Sequence, residues 1–142
     1  MISQLTVFLE NEKGRLAAAC RAVSDAGINM HSLFLADTQD FGVVRLLVDT
    51  PKAAAEALRN AGYRATITPV TAVRIPNEPG GLAKLLEFLD EASVNVEYAY
   101  CFSVSSEAAF DVLKTDEDAQ LEGKLMEAGF QPVSPEEIYQ VD

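Results

Sequence analysis

One histidine, two cysteines and no tryptophan in 142 residues leave little material for imidazole catalysis, a histidine metal cage or a disulfide framework. Cys20 and Cys101 each lie inside an apolar stretch and outside any metal-ligand spacing, so both are expected as small core residues in a reducing cytoplasm. Basic side chains are scarce too. Eleven Lys and Arg face 22 Asp and Glu, a net charge of −11, and such a surface repels phosphate backbones and anionic headgroups. Nucleic acid and membrane are therefore not expected as partners. Met1 to Glu10 hold no basic leader, and no run of about 18 uncharged apolar residues occurs, so neither export nor membrane spanning is expected. The acid excess is local. Residues 1–69 carry 7 basic and 7 acidic side chains, whereas residues 70–142 carry 4 and 15.

What the sequence does have is a repeat of itself. A shift of 66 sets Asn11, Glu12, Gly14, Leu16 and Ala17 on Asn77, Glu78, Gly80, Leu82 and Ala83, and Ala26 and Asn29 on Ala92 and Asn95. Seven of the 21 positions from 11 to 31 are identical, against about one in twenty by chance at ordinary amino-acid frequencies. With one residue inserted near 103–109, Asp49, Ala61, Gly62 and Tyr63 fall on Asp116, Ala128, Gly129 and Phe130. The period is that of a small domain rather than a solenoid repeat, which predicts two copies of one unit, residues 1–69 and 70–142.

Within the first copy, Gln4 to Leu9 is β-branched and aromatic and predicts a strand ending at Asn11 and Gly14. Leu16, Ala19, Cys20, Val23 and Ala26 recur at helical spacing, with Gly27 at the C-cap. Ile28 to Ala36 and Phe41 to Val48 predict two strands joined by a turn at Asp40 and Gly42. Thr50 and Pro51 predict the N-cap and first residue of a second helix, with Ala54, Ala57, Leu58 and Ala61 inward and Gly62 as its stop. Ala65 to Val70 closes the copy. The second copy repeats the order: strand Thr71 to Ile75, helix Leu82 to Ala92 with Leu85, Leu86 and Leu89 inward, strands Asn95 to Val104 and Ala108 to Lys114, helix Ala119 to Ala128, and strand Gln131 to Val133. Ser134, Pro135 and Glu137 form a capping-box pattern for a last helical turn. The fold class is α+β: two tandem ferredoxin-like βαββαβ units with antiparallel sheets and helices on one face.

Chemistry concentrates at the ends of the first helix of each copy. Asn11, Glu12, Lys13, Gly14 and Arg15, and Asn77, Glu78, Pro79, Gly80 and Gly81, each open a helix whose free amides suit a small carboxylate. Asn29 and Asn95 stand at the other helix end, where an amide that both donates and accepts suits a zwitterion. Turn chemistry alone also explains Asn and Gly at such positions. Four other features have a structural explanation beside a functional one. His31 reads as packing or surface rather than as a base. Val96, Tyr98, Tyr100, Phe102 and Val104 alternate and are expected on one strand face, as core, as an inter-domain surface or as a wall for an effector. Asp116, Glu117 and Asp118 suit a helix dipole better than a metal, and Arg15 lies near the place where a ferredoxin-like unit can carry an Arg-bearing loop for acyl phosphate hydrolysis, though the second copy has Gly81 there.

The element order, the Asn-x-Pro-Gly-x-Leu loop (Asn77, Pro79, Gly80, Leu82) and the Ala-Gly-Ile-Asn helix exit (Ala26, Gly27, Ile28, Asn29) resemble the ACT domain, a regulatory amino-acid-binding module. The resemblance covers nearly the whole chain, as two tandem ACT units. Members of this family bind effectors between paired units, and in the serine-binding members one Asn before the first helix and one after it contact the effector. Asn11 and Asn29 match these in the first copy, Asn77 and Asn95 in the second. Lys13 stands where the motif has Pro, and Ser93 where it has Gly. The resemblance thus implies a ligand site made of Asn11, Lys13, Gly14, Arg15, Leu16, Asn29 and Met30, and of Asn77, Pro79, Gly80, Gly81, Leu82, Asn95 and Val96. It implies a small-molecule amino acid as ligand, no cofactor, no catalysis, a homodimer and a partner enzyme as the target of regulation. The alternative is a regulatory or scaffolding subunit that acts through protein contacts without a working pocket, its acidic surface and aromatic stripe meeting a basic partner.

Overall fold

In the stretch from Phe41 to Val48, Val44, Leu46 and Val48 are buried at every second position, the period that turns alternate side chains of a strand to one face. The computed structural model describes residues 1–37, 41–116 and 118–142. Its elements are β1 (Ile2–Glu10), α1 (Arg15–Asp25), β2 (Met30–Asp37), β3 (Phe41–Val48), α2 (Pro51–Asn60), β4 (Arg64–Pro76), α3 (Gly81–Glu91), β5 (Val96–Ser103), β6 (Ala108–Thr115), α4 (Asp118–Glu127) and β7 (Gln131–Pro132), with a 3-10 turn at Pro135–Glu137. Both copies follow β-α-β-β-α-β order with antiparallel sheets, as the repeat predicts. The expected turn at Asp40 lies outside the described residues.

Contacts divide the chain into two compact units. The first joins Ser3–Thr68 to Pro135–Asp142, and the second joins Met1–Ile2 to Pro69–Ser134. In the first unit the strands run β2-β3-β1, with Leu5 opposite Leu46 and Leu33 opposite Leu46 on its other side. The early part of β4 lies beside β1, where the Thr6 and Thr68 hydroxyls meet at 2.8 Å. Leu5, Val7 and Leu9 of β1 and Val44, Leu46 and Val48 of β3 meet Ala19 and Val23 of α1 and Ala54, Ala55 and Leu58 of α2. The core face of α2 is thus Pro51, Ala54, Ala55 and Leu58 rather than one that includes Ala57 and Ala61. Ala61 lies past the last turn and is exposed.

In the second unit the order is β7-β4-β6-β5, and Val73, Ile75, Leu85, Leu89, Leu113, Leu121 and Leu125 form its core. Leu86 is 38% exposed, because α3 turns a narrower stripe to the sheet than its leucines suggest. The 13 residues of β4 form one strand through Pro69, so the two predicted strands are continuous. The aromatic stripe of β5 is broken. A register shift between Val96 and Tyr98 sends Val96 to the helix-side core. Tyr98, Tyr100 and Phe102 stay together, opposite Lys114, Val112 and Phe110 on the other face. This is the usual effect of a bulge.

The first unit is closed by the far end of the chain. Tyr139 is buried and its hydroxyl accepts the Ser3 N–H at 2.7 Å. The Thr50 N–H donates to the Gln140 carbonyl at 2.7 Å, and the Gln140 N–H donates to Asp49 Oδ1 at 2.8 Å. Thr50 does not cap α2 with its side chain; it sits at φ +42°. The Asp142 carboxylate takes that role, accepting from the Lys52 and Ala53 amides at 3.1 and 2.8 Å, with its negative charge at the positive end of the helix.

One carboxylate lies inside the second core. Asp111, in the middle of β6, is fully buried between core residues Ala109 and Leu113. Its Oδ1 accepts the Cys101 thiol at 3.2 Å, and its Oδ2 has no partner among the described residues. Burial pushes its pKa up to about 6, with the thiol hydrogen bond acting the other way. Cys101 is exposed at the edge strand rather than in the core. Desolvation first, then the Asp111 charge, push its pKa up to about 12. Cys20 is half-buried.

Two outcomes follow from these arrangements. Asp49→Ala strips the Gln140 amide and His31 of a shared acceptor and should cost about 1–3 kcal/mol in urea unfolding, with faster hydrogen exchange at Gln140; an unchanged midpoint would show that the closing segment adds nothing. For Asp111, a folded pKa above the unfolded one means that the native state binds the extra proton, so its contribution to stability falls as pH rises from about 4 to about 6. Asp111→Asn should therefore gain on the wild type across that window by on the order of 3 kcal/mol. A gap independent of pH in parallel denaturation curves would disprove it.

Candidate functional site

Each unit presents the two ends of its first helix. At the front, β1 leads through Asn11, Glu12, Lys13 and Gly14 into α1, and β4 leads through Asn77, Glu78, Pro79 and Gly80 into α3. Gly14 at φ +82° and Gly80 at φ +89° are left-handed, a conformation that strains other residues. Neither helix start carries a side-chain cap, so each turns backbone amides and its dipole toward an anion.

The two loops differ in chemistry. Arg15 Nη2 lies 3.2 Å from Glu10 and 3.6 Å from Glu12, its charge turned onto its own neighbours. Asn11 and Lys13 are exposed, and Leu16 packs half-buried on the first core. In the second loop the Asn77 backbone N–H donates to the Glu107 carbonyl at 2.9 Å, and its Nδ2 donates to the Ser105 carbonyl at 3.2 Å. At Gly81 a Cβ would collide with the Pro76 carbonyl oxygen, so this loop is drawn tighter than a side chain permits. Pro79 and Leu82 are exposed beside it.

At the back, one hydrogen bond recurs. The Asp49 N–H donates to the Asn29 carbonyl at 3.0 Å, and the Asp116 N–H donates to the Asn95 carbonyl at 3.3 Å. Both Asn side chains are exposed, while Met30 and Val96 pack on their cores. Ser93 takes φ +58° where Gly27 takes +75°, so the replaced glycine leaves the path intact at a cost of about 1 kcal/mol. The surroundings diverge: His31 Nε2 lies 2.8 Å from Asp49 Oδ1, whereas Asp116 Oδ1 accepts the Asn95 N–H at 2.9 Å. His31 is thus a surface partner of Asp49. The Gln140 amide first, then His31, hold the Asp49 carboxyl below the usual carboxylate range.

The loop and the exit are not brought together within a unit. Eleven residues of α1, and likewise of α3, put about 16 Å between them at 1.5 Å per residue. Asn11 and Asn29 therefore do not share one small ligand inside the first unit, nor Asn77 and Asn95 inside the second. The second loop stands between two clefts. One of about 580 Å³ is lined by Arg74, Glu78, Gly81, Lys84 and Phe130 among others. The other, of about 230 Å³, includes Asn77, Leu82, Cys101, Ser103 and Ala109. The first unit has a cleft of about 440 Å³ lined by Glu10, Arg15, Tyr63 and Arg64 among others, at positions that the repeat equates with the larger cleft.

Reading the sequence alone missed Tyr63, Phe130 and Asp111. The signal for Asp111 was present, because the shift of 67 beyond the inserted residue sets it on Val44, a carboxylate in place of a core valine. Among the described residues no three His, Cys, Asp or Glu side chains form a metal cluster. Asp116 is engaged with Asn95 and Glu117 lies outside the described residues. No helix among them is long and apolar enough to cross a membrane.

Comparison with known proteins agrees with this architecture. Among curated proteins there is no significant match. Protein BT0572 from Bacteroides thetaiotaomicron is similar in structure, with a TM-score of 0.88 and 33% identity over 94% of this chain and 92% of that one. The regulatory subunit of aspartate kinase from Thermus thermophilus, in its ligand-free form, shares the fold at a TM-score of 0.68 and 17% identity over 89% and 90% of the two chains. That of Thermus flavus does so at 0.59 and 15%, over 89% and 92%. The ACT domain pair family matches residues 1–141, and with the duplicated loop, helix and exit in place, the chain belongs to that family.

Proposed function

We propose that this protein is a non-catalytic regulator that binds a free amino acid, or a similar small zwitterion, between ACT units. The observation that carries the reading is the repeated pairing of an uncapped helix start with a clamped asparagine exit. The amides ahead of α1 and α3 take the carboxylate, and the exposed amides of Asn29 and Asn95 take the ammonium. Since α1 and α3 are too long for one ligand to touch both of their ends, the loop of one unit works with the exit of another, in the same chain or in a second copy. A ligand held that way favours one packing of the two units over others, which couples occupancy to the surface shown to a partner enzyme. No cofactor is needed, and the reading places the protein in the cytoplasm.

The second copy is proposed as a homodimer mate. Leu33 and Leu35 of the edge strand β2 are 44% and 48% exposed, an apolar edge that a soluble chain usually covers. The alternative, a subunit that acts by protein contact alone, draws support from Arg15, whose charge is paired with Glu10 and Glu12 rather than turned to a ligand.

The test is thermal unfolding against each of the twenty amino acids at millimolar concentration. A ligand at 100 times its Kd adds about 2.7 kcal/mol, a Tm rise of roughly 5–10 °C at this size. A rise confined to one chemical class supports the reading, and silence with all twenty favours the contact-only alternative. For the ligand so found, Asn29→Ala and Asn95→Ala should each weaken binding by about 1–3 kcal/mol with the melting curve otherwise unchanged. Unchanged affinity in both would place the ligand elsewhere. Light scattering should give twice the monomer mass, and a strict monomer with and without ligand would remove the dimer.

A further inference from the structure

The two copies differ most sharply at one cross-strand pair. In the first unit Leu35 of β2 faces Val44 of β3, and in the second Cys101 of β5 faces Asp111 of β6. The repeat equates these pairs, so the frame of the fold accepts an apolar residue at this place: Val44 is buried and belongs to the core cluster. The carboxylate of Asp111 is not something that the architecture requires.

It is also poorly satisfied. Asp111 is buried with one oxygen accepting a thiol, a weak donor, and the other without a partner among the described residues. Such a carboxylate carries a desolvation cost that its present contacts do not offset. Its neighbours on the same sheet face, Ala109 two residues back and Cys101 across the strand, both line the cleft of about 230 Å³ beside the loop with Asn77 and Leu82. That cleft holds Glu78 among its lining residues and no Lys or Arg among the described ones. It is smaller than a drug-sized site. Cys101 sits exposed on the edge strand, so its thiol can swing aside and yield its place on Asp111 Oδ1 to a stronger donor.

We infer that Asp111 forms the floor of a cation subsite in the second unit, and that this cleft takes a small amine whose positively charged end donates to both Asp111 oxygens in place of the Cys101 thiol. Resting on the amino-acid reading above, it names the ligand class: a basic amino acid, its carboxylate at the start of α3, where Asn77 and Leu82 line this cleft, and its terminal ammonium on Asp111. The first unit, with Leu35 and Val44 at the same place, offers no such counter-charge. The two copies then differ in what they recognise.

The experiment is calorimetric titration of the full chain with L-lysine, L-ornithine, L-norleucine and cadaverine, in the wild type, Asp111→Asn and Asp111→Val. Valine is the residue that the first copy carries, so the second substitution keeps the fold and, without ligand, should raise Tm. The basic amino acids should bind the wild type at least about tenfold more tightly than norleucine, which matches lysine in chain length without its charge. Both substitutions should erase that preference. Equal binding of lysine and norleucine, or a preference that survives both variants, overturns the inference while leaving the amino-acid reading in place. Cadaverine binding that depends on Asp111, with neither lysine nor ornithine bound, keeps the cation subsite and overturns the basic amino acid as its ligand. Failure of lysine, ornithine and cadaverine alike removes the subsite.

Discussion

Eleven residues of helix separate the glycine loop from the asparagine exit in each unit, and both ends are pinned. Ala19 and Val23 hold α1 to the first sheet, and Leu85 and Leu89 hold α3 to the second. The helix therefore cannot bend its ends toward one ligand, since that would cost the buried apolar face that makes it stable. Under the function proposed above, one unit alone owns only half of a recognition surface. On the proposed reading this constraint makes a sensor of paired units, because occupancy then involves two bodies rather than one. The same proposal gives a use to the recurring Asp49 and Asp116 hydrogen bonds: an exit with its backbone fixed in advance does not have to be ordered by binding.

Duplication supplies an internal control. Where two copies agree in backbone but differ in side chain, the difference is not demanded by the fold. Ser93 keeps the left-handed turn of Gly27, so this departure is absorbed locally. At Gly81 the loop closes onto Pro76, while Arg15 at the matching place reaches Glu10 and Glu12. One loop is tightened by the loss of a side chain, and the other is neutralised by its own charges. Val44 against Asp111 differs in kind, since a buried carboxylate with an orphaned oxygen is a standing cost and persists where something offsets it.

The strands, helices and unit count are legible in the sequence because each rests on a local signal: period-two alternation in β3, helical spacing in α1, glycine stops, and the repeat itself. The loop and exit are legible for the same reason. What escapes is set by partners distant in the chain. Leu86 looks inward by spacing and is outward because the sheet covers a narrower stripe of α3. Val96 leaves the aromatic stripe because a bulge resets the register, and nothing local marks that bulge. Cys101 looks like core and lies at an edge, since which strand is outermost is a property of the sheet.

The capping of α2 shows how such distant terms act on local rules. Thr50 and Pro51 form a standard helix start, yet Thr50 sits at φ +42° and does not cap. In that conformation its amide reaches the Gln140 carbonyl, and the segment so held carries Asp142 onto the Lys52 and Ala53 amides. A carboxylate is a stronger acceptor than a hydroxyl and adds charge at the positive helix end. Exchanging one cap for the other thus trades a modest backbone strain for a charged cap and two further hydrogen bonds to Gln140. Asp49 anchors that segment and is also the residue whose amide clamps Asn29 and whose carboxylate holds His31. The exit of the first candidate site and the docking of residues 135–142 therefore share one residue, the first through its amide and the second through its carboxylate. A ligand that pulls on Asn29 loads the same anchor, a link that the second unit, where Asp116 holds only its own Asn95 among the described contacts, does not have.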